Sequence, residues 1–314
     1  MRIAEYVRLG LCGTFLSLAA ASCGGDAGPA ATNNGSKPET TTSGSINISV
    51  DESYRAVIEQ ELAVFDSSYP DAHIKAKYTT GNESFNDLSE DSARLIITDR
   101  DLTPEEKKAY KAHEIKVKSL AIASDAIAVI VNPASPDSLM TLGQLRNILA
   151  GKFARKYNIV FNNTGSSIVS YISDTLLGGQ PLTTKPFAVA NTDSLIAYIA
   201  RTGNAIGFIG VNRAYDPEST EPAGAFLKQI KVVALNNEND TANTGFYKPY
   251  QAYIGLKQYP LRRNMYFITR DSWNGLGAGF ANFLTGQAGQ LIINKARLFP
   301  LQAAVTLREA EIKP

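Results

Sequence analysis

The sequence predicts an α/β protein whose sheets are mostly parallel. Three observations carry this: strand-like and helix-like segments alternate for most of the length, the run AIAVIV at 126–131 is continuously apolar, and polar loops recur where strands lead into helices. Strands separated by helical segments demand crossover connections and hence parallel pairing. A continuous β-branched run is what a strand covered on both faces requires.

The elements follow in order. Ile46 to Val50 alternates apolar and polar as a short strand. Ser53 stands at an N-cap position before a helical pattern with Tyr54, Val57, Ile58 and Phe65 on one side. Strands are expected over 72–78 and 94–98, and Thr103-Pro104-Glu105-Glu106 opens a helix with Pro in its first turn and a capping-box Glu. After AIAVIV, Pro133 and Pro136 punctuate a loop. Thr141 with Gln144 caps a helix bearing Leu142, Leu145, Ile148 and Leu149, which Gly151 ends. A strand at 159–161 precedes a helix opened by Ser166 or Ser167, and Thr192 opens another that closes at Gly203. Residues 205–211, 253–256 and 265–269 read as strands, and 280–295 as a helical end. No repeat of fixed period is present.

Of 314 residues, 44% are hydrophobic, enough for about two ordinary domains. Thirty-one Lys plus Arg balance 30 Asp plus Glu, so no broad field favours nucleic acid or an anionic membrane surface. A ligand would have to be held by local groups.

The N-terminus reads as a targeting segment. Arg2 and Arg8 supply positive charge, and an apolar stretch at 9–22 is too short to span a bilayer comfortably, so residues 1–22 are expected to be a signal peptide. Ala-Ala-Ser-Cys resembles a bacterial lipobox with Cys23 as the lipidated residue, although Ala20 stands where Leu is commonest. The alternative is an ordinary signal peptide with an incidental Cys. The only cysteines, Cys12 and Cys23, both lie here, which leaves no disulfide for the folded part. With Cys23, residues 24–45 form an expected tether, because GGDAGPAATNNGSKPETTTSGS holds no large apolar side chain to offset its ordering entropy.

Enzyme chemistry has little to work with. His73 and His113 sit in polar surroundings, and there is no G-x-S-x-G, Walker loop, H-E-x-x-H or cysteine metal spacing. Asn236, Glu238 and Asp240 space their oxygens as calcium loops do, but Tyr247 stands where the twelfth-position Glu belongs, and a solvated turn is the better reading. No metal or cofactor is therefore expected, and a hydrolase ranks last among the readings.

What remains is a set of polar loops around Ser53, at 81–84, at 98–100 and at 162–167. Ligands of open α/β sheets bind outside the carboxyl ends of the strands, where a helix N-terminus offers unpaired N–H donors and a positive dipole end. Hydroxyls of Ser53, Ser84, Ser166 and Ser167 would add neutral donors to an anion site. Taken singly, each Ser could instead merely cap its own helix.

Over about 46–301 the chain resembles the phosphate-binding lipoproteins of ABC importers, a family of the type II periplasmic binding protein fold. The stretches that carry the resemblance are IASDAIAVIVNPASPDSLMTLGQLRNILAG at 122–151, AIGFIGVN at 205–212, YPLRRNMYF at 259–267, GFANFLTGQAGQLI from Gly279, and the Phe299-Pro300-Leu301 end. The resemblance implies two lobes joined by two crossover strands, with lobe one at 46–125 plus 253–314 and lobe two at 126–252. The first crossover would lie near 124–131 and the return near 253–265. It further implies a monomeric extracytoplasmic protein in the periplasm, lipid-anchored to a bacterial membrane, that captures phosphate or a related oxyanion for an inner-membrane ABC permease.

Ligand residues carry over by position. Ser53 matches the family's Ser or Thr after the first strand, Ser84 its turn after the second, and Thr98-Asp99-Arg100 its element after the third. The second-lobe loop of the family reads Arg-x-Asp-Gly-Ser-Gly-Thr. Here Asn162-Asn163-Thr164-Gly165-Ser166-Ser167 keeps Gly165-Ser166 but lacks the arginine and the aspartate. Arg100 is expected to supply the missing charge, and Asp99 to accept the ligand's proton, an acceptor sulfate would leave unpaired. The alternative function is a binding or sensory module of the same fold, with a degenerate anion site and a protein partner. The missing arginine and the neighbouring Glu83 motivate it.

Overall fold

The structure, a computed structural model, describes residues 39–163, 165–182, 186–221, 224–270 and 275–303. The expected signal peptide, Cys12, Cys23 and most of the tether lie outside the described residues.

The first sheet is built from β1 (Gly44–Asp51), β2 (Ala72–Thr79) and β3 (Leu95–Thr98), linked by α1 (Arg55–Ser68) and α2 (Gly81–Ser89). β1 pairs parallel with both β2 and β3. α3 (Pro104–Ala112) opens on the expected capping box of Thr103 and Glu106, and leads to β4 (Lys118–Val131).

β4 carries the chain from one sheet to the next. A second sheet holds β6 (Asn158–Phe161), β7 (Phe187–Ala188) and β8 (Ala205–Gly210), with β5 (Leu139–Thr141) off to one side. β6 is parallel to both β7 and β8. Its helices are α4 (Leu142–Leu149), α5 (Ser167–Leu177) and α6 (Thr192–Arg201). β9 (Lys231–Val232) joins β4, and β10 (Ala234–Asn236) pairs with β5.

After α7 (Gln251–Gly255) the chain returns to the first sheet as β11 (Arg262–Thr269), antiparallel between β3 and β4. α8 (Leu276–Thr285), α9 (Gln287–Lys295) and β12 (Phe299–Pro300), which pairs with β4, complete it. The two lobes are thus joined by β4 on the way out and by the segment entering β11 on the way back. At the junction Leu261 O accepts from Ile127 N, and the buried Tyr259 hydroxyl donates to Ile127 O at 2.8 Å.

Why β4 is continuously apolar is visible in its packing. Ile127, Val129 and Val131 join one core cluster with Leu145 and Leu149, whereas Ala128 and Ile130 join another with Leu195, Ile196 and Ile199. Successive side chains of a strand point to opposite faces, and here both faces are covered.

Five expectations need correction. Ser53 does not cap α1: it lies in a 3-10 turn, Glu52–Tyr54, held by the Asp51 carboxylate, and Tyr54 occupies the cap. Asn191, not Thr192, caps α6, accepting from Ser194 N. Residues 253–256 fall at α7 rather than in a strand, because Tyr253 packs edge-on to Tyr247 and against Tyr250 in an aromatic cluster that overrides β propensity. The 280–295 helix is two helices broken at Gly286, which has extended φ and ψ.

Finally, ordered chain begins before Ile46. The Glu39 carboxylate accepts from Leu276 N, and Thr41 O lies where a Cβ on Gly279 would stand, so only a glycine admits this segment against α8.

Candidate functional site

The carboxyl ends of β1, β2, β6, β7 and β8 converge on one cleft of about 900 Å³, lined from both lobes by Asp51, Ser53, Tyr78, Asn163, Ser166 and Ser167 among others. Strand ends that open into helix N-termini place unpaired N–H groups there. Ser166 is the N-cap of α5, yet its side chain makes no capping bond and its Oγ has no hydrogen-bond partner. The hydroxyl and the amides of Ser167 and Ile168 are therefore open to a ligand, while Val169 N is spent on Ser166 O.

Asp51 is the hub. Its Oδ1 accepts from Ser53 N at 2.9 Å, from the Ser53 hydroxyl, and from Ser167 Oγ at 3.1 Å across the cleft. Ser53 Oγ and Ser167 Oγ also lie 3.0 Å apart. Asp51 is 2% exposed, and its Oδ2 has no partner. That oxygen lies 3.0 Å from where a Cβ on Gly81 would be, and Thr98 Oγ1 and Asp99 Oδ1 lie 3.6 Å from the same point. A side chain at position 81 would press on the carboxylate.

Behind Asp51 sits Arg263, whose side chain is 2% exposed. Its Nη1 donates to Asp99 Oδ2 at 2.9 Å and to Ser167 Oγ at 3.1 Å, and its Nε donates to Asp125 Oδ2 at 3.0 Å. Its Nη2 has no partner, and the guanidinium carbon stands 5.3 Å from the Tyr54 ring centroid. Burial works against the charged guanidinium, but Tyr54, Asp125, Asp99 and Asp51 outweigh it and raise its pKa well above the usual value. Burial raises the pKa of Asp125 even against the pull of Arg263. It also raises that of Asp51, with help from the charge of Asp99. Three carboxyls thus surround one guanidinium, and four buried polar atoms nearby lack partners: Asp51 Oδ2, Tyr54 Oη, Thr98 Oγ1 and Arg263 Nη2. Unpaired groups of this kind are costly in a finished core and mark a place built for something else.

The sequence-based expectations divide. Ser53, Asn163, Ser166 and Ser167 line the cleft. Thr98 and Asp99 adjoin it through Gly81 and Arg263. Gly165 spends its amide on Asn163 Oδ1 at 2.9 Å and does not line the cleft. Ser84 is buried and faces β1, accepting from Ser49 Oγ at 3.1 Å. Arg100 is turned away: it holds Glu106 with two hydrogen bonds of 2.8 and 2.9 Å and lies 3.7 Å over the Phe85 ring. Arg263 of β11, rather than Arg100, donates to a cleft hydroxyl, that of Ser167. Its signal was present, since Arg263 shares the buried side of β11 with Met265 and Phe267, where a charge has no business without a partner. No group of metal-binding residues occurs among the described residues.

A sequence model of the PBP superfamily domain matches residues 35–288. The chain belongs to the PBP superfamily. The phosphate-binding protein PstS of Bacillus subtilis (strain 168) is 24% identical over 302 residues, covering 91% of this chain and 90% of that one. A Clostridium perfringens protein, described as a phosphate ABC transporter substrate-binding protein with phosphate bound, superposes with a TM-score of 0.64 at 20% identity, over 82% of this chain and all of its own. An ABC-type phosphate transport receptor from Vibrio cholerae gives 0.63 at 17%, again over 82% and 100%. At these identities the solved PBP superfamily members show that the two-lobed fold is shared.

Proposed function

We propose that this protein captures phosphate, or a closely related oxyanion, outside the cytoplasm for an ABC permease. The observation that carries the reading is the inter-lobe cluster of Ser53, Ser166, Ser167 and Arg263, whose hydroxyls, open helix-end amides and free Nη2 suit a tetrahedral anion. The relatives named above, all described as phosphate-binding or phosphate-transport proteins, support it. In this reading lobe one is 46–125 plus 253–314 and lobe two 126–252. Ser53, Thr98, Asp99, Asn163, Ser166 and Ser167 contribute to the ligand shell with Asp51 and Arg263, while Arg100 and Ser84 lie outside it. The protein works as a monomeric binder without catalysis, delivered to the periplasm by residues 1–22 and held at the membrane through Cys23. Among the described residues no helix is long and apolar enough to cross a membrane.

Isothermal titration of the purified chain, stripped of ligand, tests this. Phosphate is expected to give saturable heat and sulfate far less; no heat with either anion removes the reading.

One observation favours a second reading, a sensory or adaptor module with a protein partner. Glu83 lines the same cleft, as do Glu52, Glu59 and Asp193, which pair with Arg55 and Arg213 there, and like charge beside the ligand lowers affinity for an anion. Permease and ATPase genes beside this one would favour transport, and their absence the module.

A further inference from the structure

We propose that Asp51 is a tethered stand-in for the anion, holding the donors of the cleft until it is neutralised by a proton, so that anion capture is coupled to proton uptake at this residue. The inference rests on the oxyanion reading of the cleft and deepens it.

The geometry is that of a carboxylate bound in its own protein's anion site. Oδ1 takes one backbone amide and two hydroxyls, and one of those hydroxyls, Ser167 Oγ, belongs to the opposite lobe. These are the donors that an incoming oxyanion needs. While Asp51 is ionised it competes for them and adds a like charge beside the ligand. Once protonated, it gives up acceptor strength at Oδ1, and Oδ2, which has no partner, becomes an O–H donor.

Around Asp51 the carboxyls outnumber the one buried guanidinium. Facing Asp51 are Asp99 from the end of β3, Arg263 from β11 with Asp125 of β4 behind it, and the Tyr54 phenol from the 3-10 turn. α5 contributes the uncharged Ser167 and α2 the uncharged Gly81, with Glu83 of α2 on the cleft wall. Arg263 already serves two carboxylates. Asp51 has no guanidinium hydrogen bond, and its burial beside Asp99 favours the neutral form.

Calorimetry of the full chain in detergent decides the matter, with inorganic phosphate titrated at pH 6 to 8 in buffers of different ionisation enthalpy. Phosphate's own ionisation is common to wild type and Asp51→Asn and cancels in their difference. Wild type is expected to take up more protons per phosphate than Asp51→Asn, the difference approaching one, and to lose affinity with rising pH by up to tenfold per unit more steeply. Equal proton counts with parallel pH profiles, or weaker binding by Asp51→Asn at every pH, would overturn the proposal.

A ligand-free arm stands apart from the identity of the ligand. Hydrogen exchange is followed in peptides holding Ser53 and the start of α5, in wild type, Asp51→Ala and Ser167→Ala. Both variants should speed exchange on both sides of the cleft, and unchanged exchange across the cleft overturns the tether. If phosphate binds to neither wild type nor Asp51→Asn, the phosphate reading falls, and this arm alone judges Asp51.

Discussion

The Ser53 and Ser167 hydroxyls, 114 residues apart in sequence, lie 3.0 Å from each other at the point where the two lobes meet. Each also bonds to Asp51 Oδ1, so a single carboxylate oxygen ties the turn after β1 to the first turn of α5. In a hinged protein such a contact is where ligand binding and lobe closure share the same atoms.

Ser53→Ala and Ser167→Ala should each weaken phosphate binding about 10- to 100-fold, the range expected for a hydrogen bond to a charged group worth about 1.5–3 kcal/mol. Because the two hydroxyls face one another, the double variant is expected to lose less than the sum of the two. Calorimetric double-mutant cycles measure that coupling.

Arg263→Met should cost about 3–5 kcal/mol of folding stability, since it strands Asp125 and Asp99 without their cation. Adding Asp125→Asn should restore part of it, because the deepest orphaned charge is then gone. Urea melts of wild type and the two variants at pH 7 give the numbers.

Arg100→Ala should leave anion affinity within about twofold of wild type. Its guanidinium is committed to Glu106 and Phe85, and the Arg100–Glu106 pair is partly exposed, so the stability loss should be no more than about 1 kcal/mol. A tenfold loss in calorimetric affinity would return Arg100 to the site.

Glu61 is buried in α1 with neither carboxylate oxygen bonded, and burial pushes its pKa up to about 9 from an ordinary 4.5. The folded chain therefore holds a proton that the unfolded chain releases between these two values. Stability should fall as pH rises through that window and level off beyond it. Glu61→Met should flatten this slope and raise stability at pH 7 by about 1–3 kcal/mol, the order of one unsatisfied buried polar group. Thermal melts from pH 5 to 9 test both.

Most of the scaffold could be read along the chain because its causes are local. The capping boxes of Thr103 with Glu106 and Thr141 with Gln144 formed where their spacing placed them. So did the apolar strand at 126–131. Two errors fall where the side chain of a residue only a few positions away sets the backbone, which propensity and spacing do not record. Asp51 rather than helix α1 claims Ser53, and aromatic contacts with Tyr247 and Tyr250 draw Tyr253 into a helix.

The site divides along the same line. Periodicity and loop chemistry, both short-range, determined the alternating α/β order and put Ser53, Ser166 and Ser167 at strand ends. Which cation and which carboxylates stand behind those hydroxyls was decided only in three dimensions. β11 runs antiparallel between β3 and β4, and that pairing brings Arg263 to Asp99, 164 residues away, and to Asp125, 138 residues away. Charge interactions in a dry interior depend on distances of a few ångströms, and no pattern along the chain records those distances until the sheet has closed.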